Sequence, residues 1–247
     1  MLTVLDLFSG IGGFSLGLER TGGFKTVAFC EIDPFCRKVL AKHWPDVPIH
    51  DDVTKLRGED VGSVDVICGG FPCQDLSYAG QGLGLAGERS GLWSEIARLV
   101  RALRPRFVIV ENVAALLARG MGDVLGDLAG LGYDAEWSSV SACSVGAPHM
   151  RQRVFIVAYP DSFDGWSWVR DTSAQSNGPL PSVDSLESAR SGWRARMANP
   201  SELYRGADGV PFGMDRTRAT GNSVVPQVVE MIGHAILDAP TPRVVTG

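Results

Sequence analysis

The sequence predicts an α/β fold: a mostly parallel open sheet with an antiparallel hairpin at one edge. Three observations predict it. Short β-rich runs recur through the first 160 residues, and each is apolar on both faces, as buried parallel strands are. Segments of helical length lie between them. The last two runs are only about ten residues apart with no helix between, which suits a hairpin rather than a parallel crossover.

Taken in order, TVLDLFSG (3–10) is the first strand and FSLGLERTG the helix after it. KTVAFCEID (25–33), SVDVICGG (63–70) and RFVIVENV (106–113) are the next three strands. LWSEIARLVRALRP is the helix before the fourth, and YDAEWSSVSA with RVFIVAYP makes the hairpin. From Pro160 to Asp215 the texture changes: Ser, Asp, Gly, Pro and Asn dominate, aliphatics are sparse, and Trp166, Trp168 and Trp193 stand out. Such a stretch cannot bury a large core of its own, so it reads as an irregular insertion, with Trp166 and Trp168 packing inside it. GNSVVPQVVEMIGHAIL then has helical period and is expected to pack back on the first domain. The division is 1–158, 159–214 and 215–247, with no internal repeat.

Composition narrows the function. A chain of 247 residues, 45% hydrophobic, can bury one sizeable core. No run of about 18 apolar residues is present for a membrane span, and MLTVLDLFSG enters a strand pattern with no basic region before it. The expectation is a cytoplasmic protein without a signal peptide. Cys30, Cys36, Cys68, Cys73 and Cys143 form no CxxC pair, so free thiols are expected and no metal site. The net charge of −5 does not suggest a generic nucleic-acid binder. Six arginines against three acids between Arg190 and Arg218 do make a local basic excess. That excess suits phosphate or guanine edges, or reflects only arginine-rich codon usage.

Ligands of open α/β sheets bind at the carboxyl ends of the strands, and here all four endings are unusual. The first is DLFSGIGGF, a glycine-rich turn that lets a ligand approach the backbone but misses GxGxxG. The second ends in Glu31, placed to accept from ribose hydroxyls, and Asp52 could accept from an adenine amino group. Together they suggest an adenosine-containing ligand, although Asp52 could equally cap a helix with Thr54 nearby. The third ends in GGFPCQ, where Cys73 is a nucleophile if its thiolate is favoured, or else an inert thiol. The fourth ends in Glu111, a carboxylate on an apolar strand that can hold a proton, or is bonded to a neighbouring loop. Arg151 and Arg153, two apart at the start of the last strand, share a face. They bind phosphate or a ring carbonyl, or are a solvated strand end.

These stretches resemble the DNA (cytosine-5)-methyltransferases. DLFSGIGGFSLGLE, GGFPCQDLSYAG, ENV at 111–113, APHMRQRVFIVA and ATGNSVVPQ are similar to five of that family's motifs, in the family's order. The resemblance implies a Rossmann-like S-adenosylmethionine-dependent methyltransferase fold with a small target-recognition lobe. It implies Cys73 as nucleophile on carbon 6 of a flipped cytosine, Glu111 as proton donor to ring nitrogen 3, Arg153 on the carbonyl and Arg151 assisting. S-adenosylmethionine would meet Phe8, Gly10, Ile11, Gly12, Gly13, Glu31, Ile32, Asp52, Val53, Pro72, Leu92 and Asn222. Gln74, Ser77, Arg190, Trp193, Arg194 and Arg196 would contact double-stranded DNA, and AGQGLGLAGERSG would be a mobile loop. The implied protein is a monomer of a prokaryotic or phage-infected cell, with or without a separate restriction endonuclease, and binds no metal.

The chain departs from the pattern in three places. His149 replaces a glutamine that often opens the arginine motif, the arginine-and-leucine-rich motif is not recognisable, and the recognition insertion is short. Serine in FPCQDLS favours DNA over the transfer RNA used by one branch of the family. A non-catalytic binding paralogue is the other alternative, opposed by the intact Cys73, Glu111, Arg151 and Arg153. A dinucleotide-dependent oxidoreductase would need a pyrophosphate loop that the sequence does not offer.

Overall fold

The structure, a computed structural model, describes residues 1–72, 91–145, 151–160 and 223–239. The strands are β1 (Leu2–Leu7), β2 (Phe24–Cys30), β3 (Ile49–His50), β4 (Val66–Gly69), β5 (Phe107–Val113), β6 (Tyr133–Ser141) and β7 (Gln152–Pro160). The helices are α1 (Gly13–Arg20), α2 (Pro34–His43), α3 (Gly58–Val61), α4 (Leu92–Leu103), α5 (Leu116–Arg119), α6 (Met121–Gly130) and α7 (Pro226–Leu237).

The strands form one sheet in the order β3-β2-β1-β4-β5-β7-β6. The first five are parallel, while β7 runs antiparallel to both β5 and β6. The hairpin predicted for one edge is therefore present. Strand β3 escaped the sequence reading because two residues carry no period.

Strand residues alternate between two apolar layers. Leu5, Ile67, Val108 and Ile156 join α4 and α6 on one face. Val4, Val66, Ile109 and Phe155 join α1 and α7 on the other. Coverage on both faces is why the strands read as continuous apolar runs. The expected packing of the C-terminal helix on the first domain is observed, and it is close. A Cβ added at Gly17 of α1 would lie 2.5 Å from the Pro226 carbonyl oxygen and 2.6 Å from Val229 Cβ. Helix α7 starts at Pro226, whose fixed φ suits a first helical position.

The chain crosses from β3 on one side of β1 to β4 on the other, so the switch point lies between the carboxyl ends of β1 and β4. The segments leaving those two ends, residues 8–12 and 70–72, start side by side there, with Leu7 paired to Gly69. The insertion, with Trp166 and Trp168, and the loop 79–90 fall outside the described residues. Among those described, no helix is long and apolar enough to cross a membrane.

Candidate active site at the carboxyl edge of the sheet

The turn after β1 is held by short polar bonds. The Ser9 hydroxyl donates to the Asp6 carbonyl at 2.6 Å, and the Ser9 N–H donates to the Cys30 carbonyl at 3.3 Å. Phe8, Gly10 and Gly12 all have left-handed φ, 52°, 55° and 85°. For a phenylalanine that conformation is strained, the kind of strain that collects at ligand sites. Phe8 is half-buried, as are Gly10 and Ile11, while Gly12 and Gly13 are buried. Gly12 lies against the Trp44 ring, with no room for a side chain.

Glu31 follows β2 and faces this turn. One of its oxygens accepts from the Gly10 N–H at 2.7 Å and the other from the Asp33 N–H at 2.8 Å. A carboxylate oxygen can accept twice, so each retains capacity for a ligand hydroxyl. Asp33 in turn caps α2, accepting from the Phe35 N–H at 2.7 Å. Between these acids Ile32 projects outward at 75% exposure. A buried acceptor, a rim hydrophobe and a backbone laid open by glycine fit an adenosine-containing group. Val53, expected to flank such a group with Ile32, is buried in the α4–α6 layer, against which Phe8 and Leu92 also pack.

Asp52 realises the local alternative, though in a turn rather than a helix. Its carboxylate accepts from the Thr54 N–H at 3.0 Å and hydroxyl at 2.7 Å, and Lys55 Nζ is 3.0 Å away. These bonds, Thr54 first, hold its pKa down to about 2. Accepting locally leaves Asp52 on the rim and charged.

Glu111 lives in a different medium. It is 8% exposed on β5, and burial pushes its pKa above the ordinary carboxylate value, against the pull of Arg153 and Arg151. Register explains the first partner: Glu111 is paired with Phe155, and Arg153 is two residues along on the same face. Arg153 Nε lies 2.9 Å from Glu111 Oε1, yet the contact is not aligned as a hydrogen bond, and Oε1 is left buried without one. A buried carboxylate oxygen of this kind asks for an explanation. Its other oxygen lies over Gly70, where a Cβ would come within 2.8 Å, so glycine is what makes room for it. Arg151 precedes β7 by one residue rather than opening it.

Of two further polar residues here, Asn112 was legible only as part of the fourth strand's ending and Asp6 went unread in the sequence. Asn112, buried beside Glu111, donates to the Phe71 carbonyl at 3.0 Å and ties β5 to the segment ending in Pro72. Asp6 is fully buried on β1, accepts from the Ser15 hydroxyl at 2.7 Å, and has a pKa raised to about 7, chiefly by burial. The signal for both was a polar side chain inside a run apolar on both faces, where it must find a partner. Cys68, the register partner of Asp6 on β4, is buried as expected for a cysteine inside the run.

Pro72 is exposed and Leu92 half-buried. Cys73, Gln74, Ser77, Arg190, Trp193, Arg194, Arg196 and Asn222, all expected at the site, lie outside the described residues. No group of three or more His, Cys, Asp or Glu among the described residues is arranged to hold a metal ion.

Residues 2–184 match the family described as C-5 cytosine-specific DNA methylase. The chain is 40% identical over 165 residues to the Type II methyltransferase M2.BsuMI of Bacillus subtilis, covering 64% of this chain and 42% of that protein. It is 31% identical over 222 residues to M.BsuFI of Bacillus subtilis, covering 87% and 53%. The chain thus spans about half the length of the curated relatives it matches. Among solved structures, a prophage-encoded candidate DNA modification methyltransferase of E. coli superposes with TM-score 0.55 at 30% identity, covering 66% of this chain and 47% of that one. The S. pombe Dnmt2 methyltransferase, at 21% identity, shares the fold with TM-score 0.61, covering 73% and 58%.

Proposed function

Because this chain belongs to the C-5 cytosine-specific DNA methylase family, we propose that it methylates carbon 5 of cytosine in double-stranded DNA, with S-adenosylmethionine as donor. The observation that carries the reading is Glu111: a buried carboxyl, raised in pKa by burial, with the Arg153 guanidinium 2.9 Å from one of its oxygens. Such a group can hold a proton and present it to a ring nitrogen.

Carbon 5 is a weak nucleophile and needs activation. In this reading Cys73 adds as thiolate to carbon 6, and Glu111 delivers its proton to nitrogen 3. Electron density then moves to carbon 5, where S-adenosylmethionine would supply the methyl; loss of the carbon 5 proton to water and return of the nitrogen 3 proton to Glu111 then let the thiolate leave. Arg153, which partners Glu111 in the free protein, turns its remaining donors to the cytosine carbonyl, with Arg151 alongside. The target base has to leave the duplex to reach these groups.

Bound S-adenosylmethionine supplies an electrophilic methyl on a sulfonium. Glu31 would hold its ribose hydroxyls, Asp52 its adenine amino group and residues 10–13 its methionine part, with Phe8, Ile32, Val53, Pro72, Leu92 and Asn222 around it. The absent pyrophosphate explains why the glycines need not follow GxGxxG. The protein acts, in this reading, as a cytoplasmic monomer without a metal, its recognition contacts supplied by Arg190, Trp193, Arg194 and Arg196.

Nucleoside mass spectrometry after incubation with S-adenosylmethionine tests it. 5-Methylcytosine in unmethylated genomic DNA, lost in Cys73→Ala, is the expected result. Product confined to transfer RNA would overturn the substrate, and none in either acceptor would overturn the activity.

A further inference from the structure

Neither the family's motifs nor the chemistry above accounts for a pairing between α4 and α6. Trp93, nearly buried in the first turn of α4, donates its indole N–H to Asp127 Oδ2 of α6 at 2.9 Å. Its ring rests against the buried ring of Phe71, with centroids 5.7 Å apart and planes tilted by 47°. The Phe71 carbonyl is the one held by Asn112. Phe71 is therefore fixed twice, through its backbone from β5 and through its ring from α4.

We propose that Trp93 and Asp127 are positioning residues for the reaction, setting the place from which the segment bearing Cys73 departs. The proposal rests on the methyl-transfer reading for what is being positioned. In the chain Phe71 stands two residues before Cys73 and adjoins Pro72, while Trp93 adjoins Leu92. One aromatic contact thus joins the two chain positions that bracket the segment.

Packing alone does not explain the residue types. A phenylalanine or leucine would fill the inner face of α4 without a polar atom to satisfy, whereas a buried indole N–H requires an acceptor. What the N–H adds is orientation. Directed at a carboxylate, the indole is held against rotation about its χ2, and the surface it offers Phe71 is fixed. A carboxylate acceptor makes this bond stronger than a neutral one would. A small displacement of a catalytic group costs far more in rate than in stability.

The test compares Trp93→Phe, Asp127→Ala and Asp127→Asn. Trp93→Phe and Asp127→Ala are each expected to lower kcat about tenfold with KM for DNA unchanged. Asp127→Asn, whose amide oxygen still accepts, is expected to restore most of the rate. A second readout needs neither cofactor nor DNA: alkylation of Cys73 by iodoacetamide, resolved by peptide mass spectrometry with the exposed Cys143 as internal control. Its rate is expected to change by about threefold in the same two variants, and not in Asp127→Asn. Unchanged kcat and alkylation in folded Trp93→Phe and Asp127→Ala would overturn the proposal, as would losses that merely track melting temperature. Should the wild type methylate nothing, the methyl-transfer reading fails and alkylation alone judges the pairing.

Discussion

Two halves of one sheet edge treat the same functional group in opposite ways. On the β1–β3 half Asp52 is solvated, accepts from Thr54 and Lys55, and is held down to about 2. On the β4–β5–β7 half Glu111 is buried, and desolvation outweighs two nearby arginines to raise it. The first stays charged and can only accept hydrogen bonds; the second can exchange a proton. The lesson is that solvent and partners, not residue type, set which carboxyl along this edge stays charged and which can take up a proton.

Substitution should cost most at Glu111. Glu111→Gln keeps the shape of the side chain and removes the proton, so kcat should fall by about 10²–10⁴. Cofactor affinity, measured by calorimetry, should stay within a few-fold of wild type.

Asp6 is a third carboxyl near the edge, fully buried and outside the proposed chemistry. Burial raises its pKa to about 7, so the folded protein binds a proton that the unfolded chain has lost. This contribution to stability is complete below the unfolded value and disappears as pH rises through about 7, with a slope of at most roughly 1.4 kcal/mol per pH unit. Asp6→Asn should therefore gain on the wild type as pH is raised from about 5 to about 8. Denaturant midpoints across that range measure it, and a constant difference between the two proteins would contradict it.

Gly17→Ala acts where α1 meets α7, in the apolar layer beneath both halves. The new methyl meets the Pro226 carbonyl oxygen at 2.5 Å, and such overpacking costs about 1–3 kcal/mol. Thermal melting should show the loss.

How far the sequence could show this follows from its signals. Strands β1, β2, β4 and β5 were legible because each is apolar on both faces and each ends in a polar or glycine-rich break. Glu111 and Glu31 stood out against those runs. Their partners did not: the pairing of Glu111 with Arg153 depends on the register of β5 with β7, strands far apart in the chain. The Trp93–Asp127 bond spans 34 residues and two helices. Asp52 was legible only as an alternative, since a turn with Thr54 and a ligand site require the same side chain. Local pattern shows which groups are present; long-range pairing decides what they become.

Rates of 5-methylcytosine formation at saturating and limiting S-adenosylmethionine, with Glu111→Gln set beside Asp52→Asn, separate the two carboxyls. Glu111→Gln should lose rate at both concentrations. Asp52→Asn should lose it, by a smaller factor, only when cofactor is limiting. Two variants that fail in the same way, at both concentrations alike, would contradict the division of this edge into a binding half and a chemical half.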